Sequence, residues 1–200
     1  MKRLFFIFLI LIIFFFNAKE VPKYKDKGFI RNNNMEDEVI CLGPRFSNYA
    51  NTISVPAAGF KIKLKGKNKF NIFKVDICQM DKEKTQEIIF GVYKKSPHHR
   101  VMAKRIFIYN FTDKFVPKYR SSRLSKPLLD YMVKKENISK IYAILKTRNS
   151  KNVEVYIYDK FSFKRIYTYN LEKYEDIKFK NGNILVKDKG RWKIYEKVIS

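Results

Sequence analysis

From Phe60 onward the apolar residues of this chain tend to fall on every second position. Phe60, Ile62 and Leu64 alternate with Lys61, Lys63 and Lys65, which puts apolar side chains on one face of an extended chain and ammonium groups on the other. Phe70, Ile72 and Val75 continue the pattern, and further strands are predicted over 87–93, 106–109, 128–133, 141–145, 153–158 and 166–169. At the C-terminal end, 177–180 and 183–186 flank Asn181-Gly182, a pair suited to the left-handed conformation of a two-residue hairpin turn. Asp188-Lys189-Gly190 then turns the chain into 191–195. No segment carries the 3.6-residue period of an amphipathic helix. The fold class predicted is all-β and antiparallel.

Two β-rich stretches also resemble each other. Residues 87–95 align with 140–148 at an offset of 53, and 106–110 align with 155–159 at an offset of 49. A period near fifty made of four short strands is the pattern of propeller blades and related β-repeats. The expectation is about three four-stranded antiparallel units forming a partial or open β-propeller-like arc, since three blades are too few to close a ring. Three regions follow: 1–18 as a leader, 19–50 as a polar, irregular lead-in, and 51–200 as the β-repeat domain. Within the last, Asn51 to Gly59, which contains Pro56 and Ala57-Ala58, reads as a connection rather than a regular element.

The residues 87–95, Val101-Met-Ala-Lys-Arg105, Phe107-Ile-Tyr-Asn-Phe111, Pro117-Lys118 and 122–127 resemble a group of exported clostridial-type proteins related to FG-GAP and VCBS repeat proteins. The resemblance spans roughly Pro44 to Tyr169. It implies a β-propeller-like fold in the cell envelope and no established catalytic activity, so it supplies no active site. Such repeats carry an Asp-x-Asp-x-Asp-Gly calcium loop. Here the loops expected to start at Asp76 and Asp130 have Cys78 and Met80, and Met132 and Lys134, where the next carboxylates belong. Calcium takes six to eight oxygen ligands, so no calcium binding is expected.

Lys2 and Arg3 precede an apolar run from Leu4 to Phe16, which Asn17-Ala18 ends. That is the layout of a secretory signal peptide, too short to span a bilayer comfortably; an uncleaved anchor is the alternative. An exported, extracellular or envelope-associated protein is expected. The formal net charge of +24 raises the local concentration of polyanions at the surface. Outside a cell the expected partners are an anionic envelope polymer or lipid, or a protein partner or second copy meeting exposed edge strands; nucleic acid is not the expected partner.

Lys94, Lys95, Arg100, Lys104 and Arg105 crowd one expected hairpin, and Arg120, Arg123 and Lys126 follow in a second loop. Loops meeting at one end of the fold would make these eight cations a polyanion-binding rim, with arginines giving bidentate contacts; the alternative is that they hold the loops together. Cys41 and Cys78 are candidates for a disulfide, or for buried free thiols. His98-His99 is a weak metal signal, because neighbours on an extended chain point opposite ways. Tyr156, Tyr158, Phe161, Phe163, Tyr167 and Tyr169 interleave with Lys160, Lys164 and Arg165, a pattern of cross-strand pairs or of a base-stacking surface. No catalytic constellation, phosphate loop, cofactor or metal set is legible. The expected function is a non-catalytic exported module that binds an anionic envelope component or serves as a scaffold. The alternative is a wall-polymer hydrolase or other envelope enzyme, whose mark would be a cleft gathering two or more of Asp76, Asp81, Asp130 and His99.

Overall fold

Residues buried on both faces of a sheet lose the alternating pattern and read as continuous apolar runs, and two such runs organise this molecule. The computed structural model describes residues 20–66, 70–96, 99–120 and 124–199. They form fifteen strands, every neighbouring pair antiparallel, with a 3-10 turn at Pro56–Ala58 and no α-helix among the described residues. The strands follow one another as meanders: β1 (Glu20–Gly28), β2 (Asp37–Pro44), β3 (Thr52–Val55) and β4 (Phe60–Lys63) form the first. The second is β5 (Asn71–Cys78), β6 (Glu87–Ser96), β7 (His99–Phe111) and β8 (Phe115–Arg120). The third is β9 (Leu128–Lys134), β10 (Lys140–Lys146), β11 (Lys151–Asp159) and β12 (Ser162–Tyr169). The last is three-stranded: β13 (Asp176–Lys180), β14 (Asn183–Asp188) and β15 (Arg191–Lys197). A single pairing of Lys104 with Leu128 joins the second and third into one eight-stranded sheet, and no sheet closes on itself.

Three cores lie between consecutive meanders. Val39, Cys41, Ile53 and Val55 meet Ile72, Ile77, Ile88, Phe90 and Phe107 in the first. Ile89, Ile106 and Ile108, from the opposite faces of β6 and β7, meet Tyr131, Ile141, Ala143 and Tyr156 in the second. Met132, Tyr142, Ile144, Val153 and Val155 meet Ile177, Ile184 and Val186 in the third. The two central meanders are therefore covered on both faces, which explains the unbroken runs at 88–90 and 141–145. The segments aligned at offsets of 53 and 49 fall on β6 and β10, and on β7 and β11, the second and third strands of their meanders.

Residues 19–50 were expected to be an irregular lead-in, and the structure corrects this. Residues 20–28 and 37–44 are strands, and they share a sheet with 52–55 in the stretch read as a connection. The apolar period is missing from β1 because its inward positions hold Tyr24 and Asp26, opposite Cys41 and Val39. The buried Asp37 carboxylate that begins β2 is clasped by Arg31, whose Nη2 lies 2.6 Å from Oδ1. The described residues thus form four meanders where about three were expected, the additional one drawing its first two strands from this segment.

Of the two alternatives for Cys41 and Cys78, the structure has the buried free thiols and not the disulfide. Cys41 and Cys78 are free, buried thiols in two different cores, and burial pushes the Cys78 thiol up to about 12. No helix long and apolar enough to cross a membrane occurs among the described residues. The apolar run of 4–16 lies outside them.

Gly91 is the one position in β6 where a side chain does not fit. A Cβ there would lie 2.8 Å from Phe73 Cζ and 2.8 Å from Tyr131 Cε1, two rings already packed edge to face. Overpacking of a full core costs about 1–3 kcal/mol. Gly91→Ala is therefore expected to lower the unfolding free energy by that amount, read as a lower urea midpoint, and unchanged unfolding would show that the rings can yield.

Candidate functional site

The eight candidate rim cations do not share one surface. Arg123 lies outside the described residues. Pairing partners across a sheet share a face, so Lys94 opposite Ala103, Arg105 opposite Val92, and Arg120 opposite Phe107 all belong to the first-core side. Lys104, opposite Tyr93, belongs to the other side. There its ammonium donates to the Leu129 carbonyl at 2.6 Å and sits 4.6 Å from the centre of the Phe73 ring. Lys126 is half-buried, while Lys95 and Arg100 are exposed where β6 ends and β7 begins.

Arg105 is removed from the rim altogether, with 1 % of its surface exposed. Nε donates to the Lys94 carbonyl at 2.8 Å, and Nη2 donates to the His99 and Val101 carbonyls at 3.1 and 3.0 Å. Nη2 also lies 3.0 Å from His99 Nδ1. A guanidinium can only donate, so Nδ1 must accept, which leaves that nitrogen poorly placed for a metal. Burial lowers the pKa of Arg105 from so high a reference that it stays charged. This residue ties the hairpin end together instead of facing a ligand.

What remains is a looser group: Lys94, Lys95, Arg100 and Arg120. The Lys94 ammonium stands 5.6 Å from the centre of the Phe70 ring, and the Arg120 guanidinium 5.6 Å from that of Tyr109. Burial, and then the positive charge of Arg120, lower the pKa of Lys94. The two cations share a face of the sheet, where their positive fields add.

The aromatic and basic stretch behind β11 divides. Tyr156 and Tyr158 are buried in the second core, where Phe163 packs edge to face with Tyr119 at 4.8 Å between centroids. Phe161 and Tyr167 are exposed. The stacking partners are thus mainly one another.

One ionic cluster was not legible in the sequence. Asp81, Glu83 and Glu87 bring carboxylate oxygens within 4.8 Å of one another, the one such group of three among the described residues. The Lys118 ammonium from β8 stands among them. It donates to Asp81 and, at 2.6 Å, to Glu87 Oε1, and lies 3.3 Å from Glu83 Oε1. Burial opposes the charge on Lys118, yet its two carboxylate partners hold its pKa above the usual lysine range. Burial outweighs Lys118 at Glu87, raising that carboxyl; at Asp81 the burial effect is overcome by Lys118, and the carboxyl is lowered. Sequence separation hides the cluster: Lys118 is 31 residues from Glu87. Asp76 and Asp130, expected to open calcium loops, instead sit inside β5 and β9.

A cleft of about 440 Å³ lies at the ends of the first strands. It is lined by Lys25 and Asp26 of β1, Val75 and Asp76 of β5, Val133 and Lys134 of β9, and by Lys135 and Ile199. Asp26 ties this end together: its Oδ2 accepts from the Ile77 amide at 2.6 Å and from Lys135 at 2.8 Å. Of the four groups whose convergence would mark an enzyme, the cleft holds only Asp76. Asp81 is spent on Lys118 and His99 on Arg105.

No protein family, curated protein or solved structure matches this chain.

Proposed function

We propose that the protein is a non-catalytic, exported β-repeat module that binds an anionic envelope polymer or lipid. In this reading its meanders form an open, propeller-like arc that presents one end of β6–β8 to the ligand. The observation that carries the reading is the exposure of three cations, Lys95, Arg100 and Arg120, on the neighbouring strands β6, β7 and β8. Exposed cations on neighbouring strands raise the local concentration of anions at that surface. The formal charge of +24 adds a diffuse attraction over the whole molecule.

The test separates a local site from diffuse charge. Neutralising Lys95, Arg100 and Arg120 to glutamine is expected to weaken binding to heparin or anionic vesicles by about tenfold or more at moderate salt, since each lost contact also removes released counterions. Neutralising the exposed Lys160, Lys164 and Lys180 removes the same charge from other elements and is expected to change little. Equal effects of the two triple variants would leave only the diffuse attraction.

A further inference from the structure

Three buried polar atoms without a hydrogen-bond partner collect on the seam between β5 and β9. They are Asp76 Oδ2, the Tyr131 hydroxyl and the Ser139 hydroxyl. Tyr131 and Ser139 have no exposed surface. The Asp76 carboxyl and the Tyr131 hydroxyl face each other as hydrogen-bonding neighbours, and so do Cys78 and the Ser139 hydroxyl, although none of these contacts reaches good hydrogen-bond geometry. A buried polar atom left poorly paired costs about 1–3 kcal/mol, and of the three residues only Asp76 lines an opening from which a polar guest could approach.

The seam opens into the cleft through Asp76, which lines it. At the mouth stand Lys25, Lys134 and Lys135. Each is paired with a carboxylate, Glu38, Glu136 and Asp26 respectively, at 3.4, 3.0 and 2.8 Å. Lys25 and Lys135 are half or more exposed, and exposed pairs of this kind contribute only about 0–1 kcal/mol, so an incoming anion can exchange with them. Burial raises the pKa of Asp76, with Lys74 the largest opposing influence. Its carboxyl is thereby suited to share a proton with a hydroxyl instead of binding a bare metal ion. The cleft volume is that of a small-molecule pocket, which spans roughly 300–1,000 Å³.

We propose that this cleft binds a small polyhydroxylated anion, its charged group on the lysines at the mouth and its hydroxyls on Asp76. A polyol phosphate and a sugar acid share that chemistry. The proposal is independent of the cations at the end of β6–β8 and uses none of them.

The experiment follows backbone amide resonances of 75–77 and 131–135 while the protein is titrated with glycerol 1-phosphate, glucuronate, inorganic phosphate and glycerol. Saturable shifts with glycerol 1-phosphate or glucuronate, at least about tenfold tighter than with inorganic phosphate or glycerol, are expected, and whichever of the two binds tighter identifies the source. Asp76→Ala is expected to weaken the hydroxylated anion about tenfold and leave inorganic phosphate unchanged, the loss of one charge-assisted hydrogen bond. Lys135→Gln, at a half-exposed position that leaves the fold intact, is expected to weaken both. Lys95→Gln with Arg100→Gln is expected to change neither. Absence of saturable shifts, as when water alone fills the seam, overturns the proposal. So does equal affinity for glycerol 1-phosphate and inorganic phosphate.

Discussion

Lys118→Met is expected to destabilise the protein by about 3–5 kcal/mol at neutral pH, the cost of removing one partner from a buried ion cluster. Glu87 has no exposed side-chain surface and Asp81 a quarter, so without the ammonium both carboxylates stay desolvated and unbalanced. Methionine fills the aliphatic volume of the lysine, which isolates the charge from the packing. The deficit has a pH dependence of known sign. In the variant both carboxyls have folded pKa values above their unfolded ones. Protonation then stabilises the variant as pH falls through those folded values, and the gap to the wild type narrows toward pH 4. The wild type behaves otherwise: the lowered Asp81 costs it stability on acidification, while the raised Glu87 gains some back. Urea unfolding of both proteins at pH 7 and pH 4 measures this. A constant gap would show that the loss is one of packing. Millimolar calcium is expected to leave the wild-type melting temperature unchanged, because the lysine already supplies positive charge to the only group of three close carboxylates among the described residues.

How legible the fold was depended on which faces are buried. In β6 and β10 both faces enter cores, so Ile88-Ile89-Phe90 and Ile141-Tyr142-Ala143-Ile144-Leu145 announce strands without any turn signal. The Asn181-Gly182 hairpin was equally plain, and both residues have the positive φ that such a turn demands, 49° and 72°. The first meander was hidden because polar side chains occupy inward positions. Asp26 answers the Ile77 amide and Asp37 answers Arg31, partners 51 and 6 residues away. A pattern of apolar periodicity scores both as breaks. The cleft and the Lys118 cluster were hidden for a related reason. Each is assembled from residues on different meanders or distant strands, and no local spacing encodes which of many lysines will meet which carboxylate. The rim was read from charge density alone, which cannot tell an exposed cation from a structural one. Phase could have done so: Arg105, Phe107, Tyr109 and Phe111 share one face of β7, and the last three belong to the first core.

That placement makes Arg105→Leu the sharper test of what the basic hairpin does. The substitution removes the donors to the carbonyls of Lys94, His99 and Val101. Carbonyls buried without a donor cost about 1–3 kcal/mol each, though water reaches some of them at a hairpin end. Leucine recovers part of this by burying apolar surface, and the unpartnered Nη1 disappears with the guanidinium. A net loss of about 2–4 kcal/mol is expected, together with faster hydrogen exchange at the amides of 94–96 and 99–104. Arg105→Lys should recover little, because an ammonium is a single point of contact and cannot span carbonyls on both strands. Heparin affinity of the folded Arg105→Leu protein is expected to fall less than that of Arg100→Gln, although each loses one positive charge. If Arg105→Leu instead keeps full stability and loses heparin binding, the buried arginine reaches the ligand after all, and the hairpin must open to let it do so.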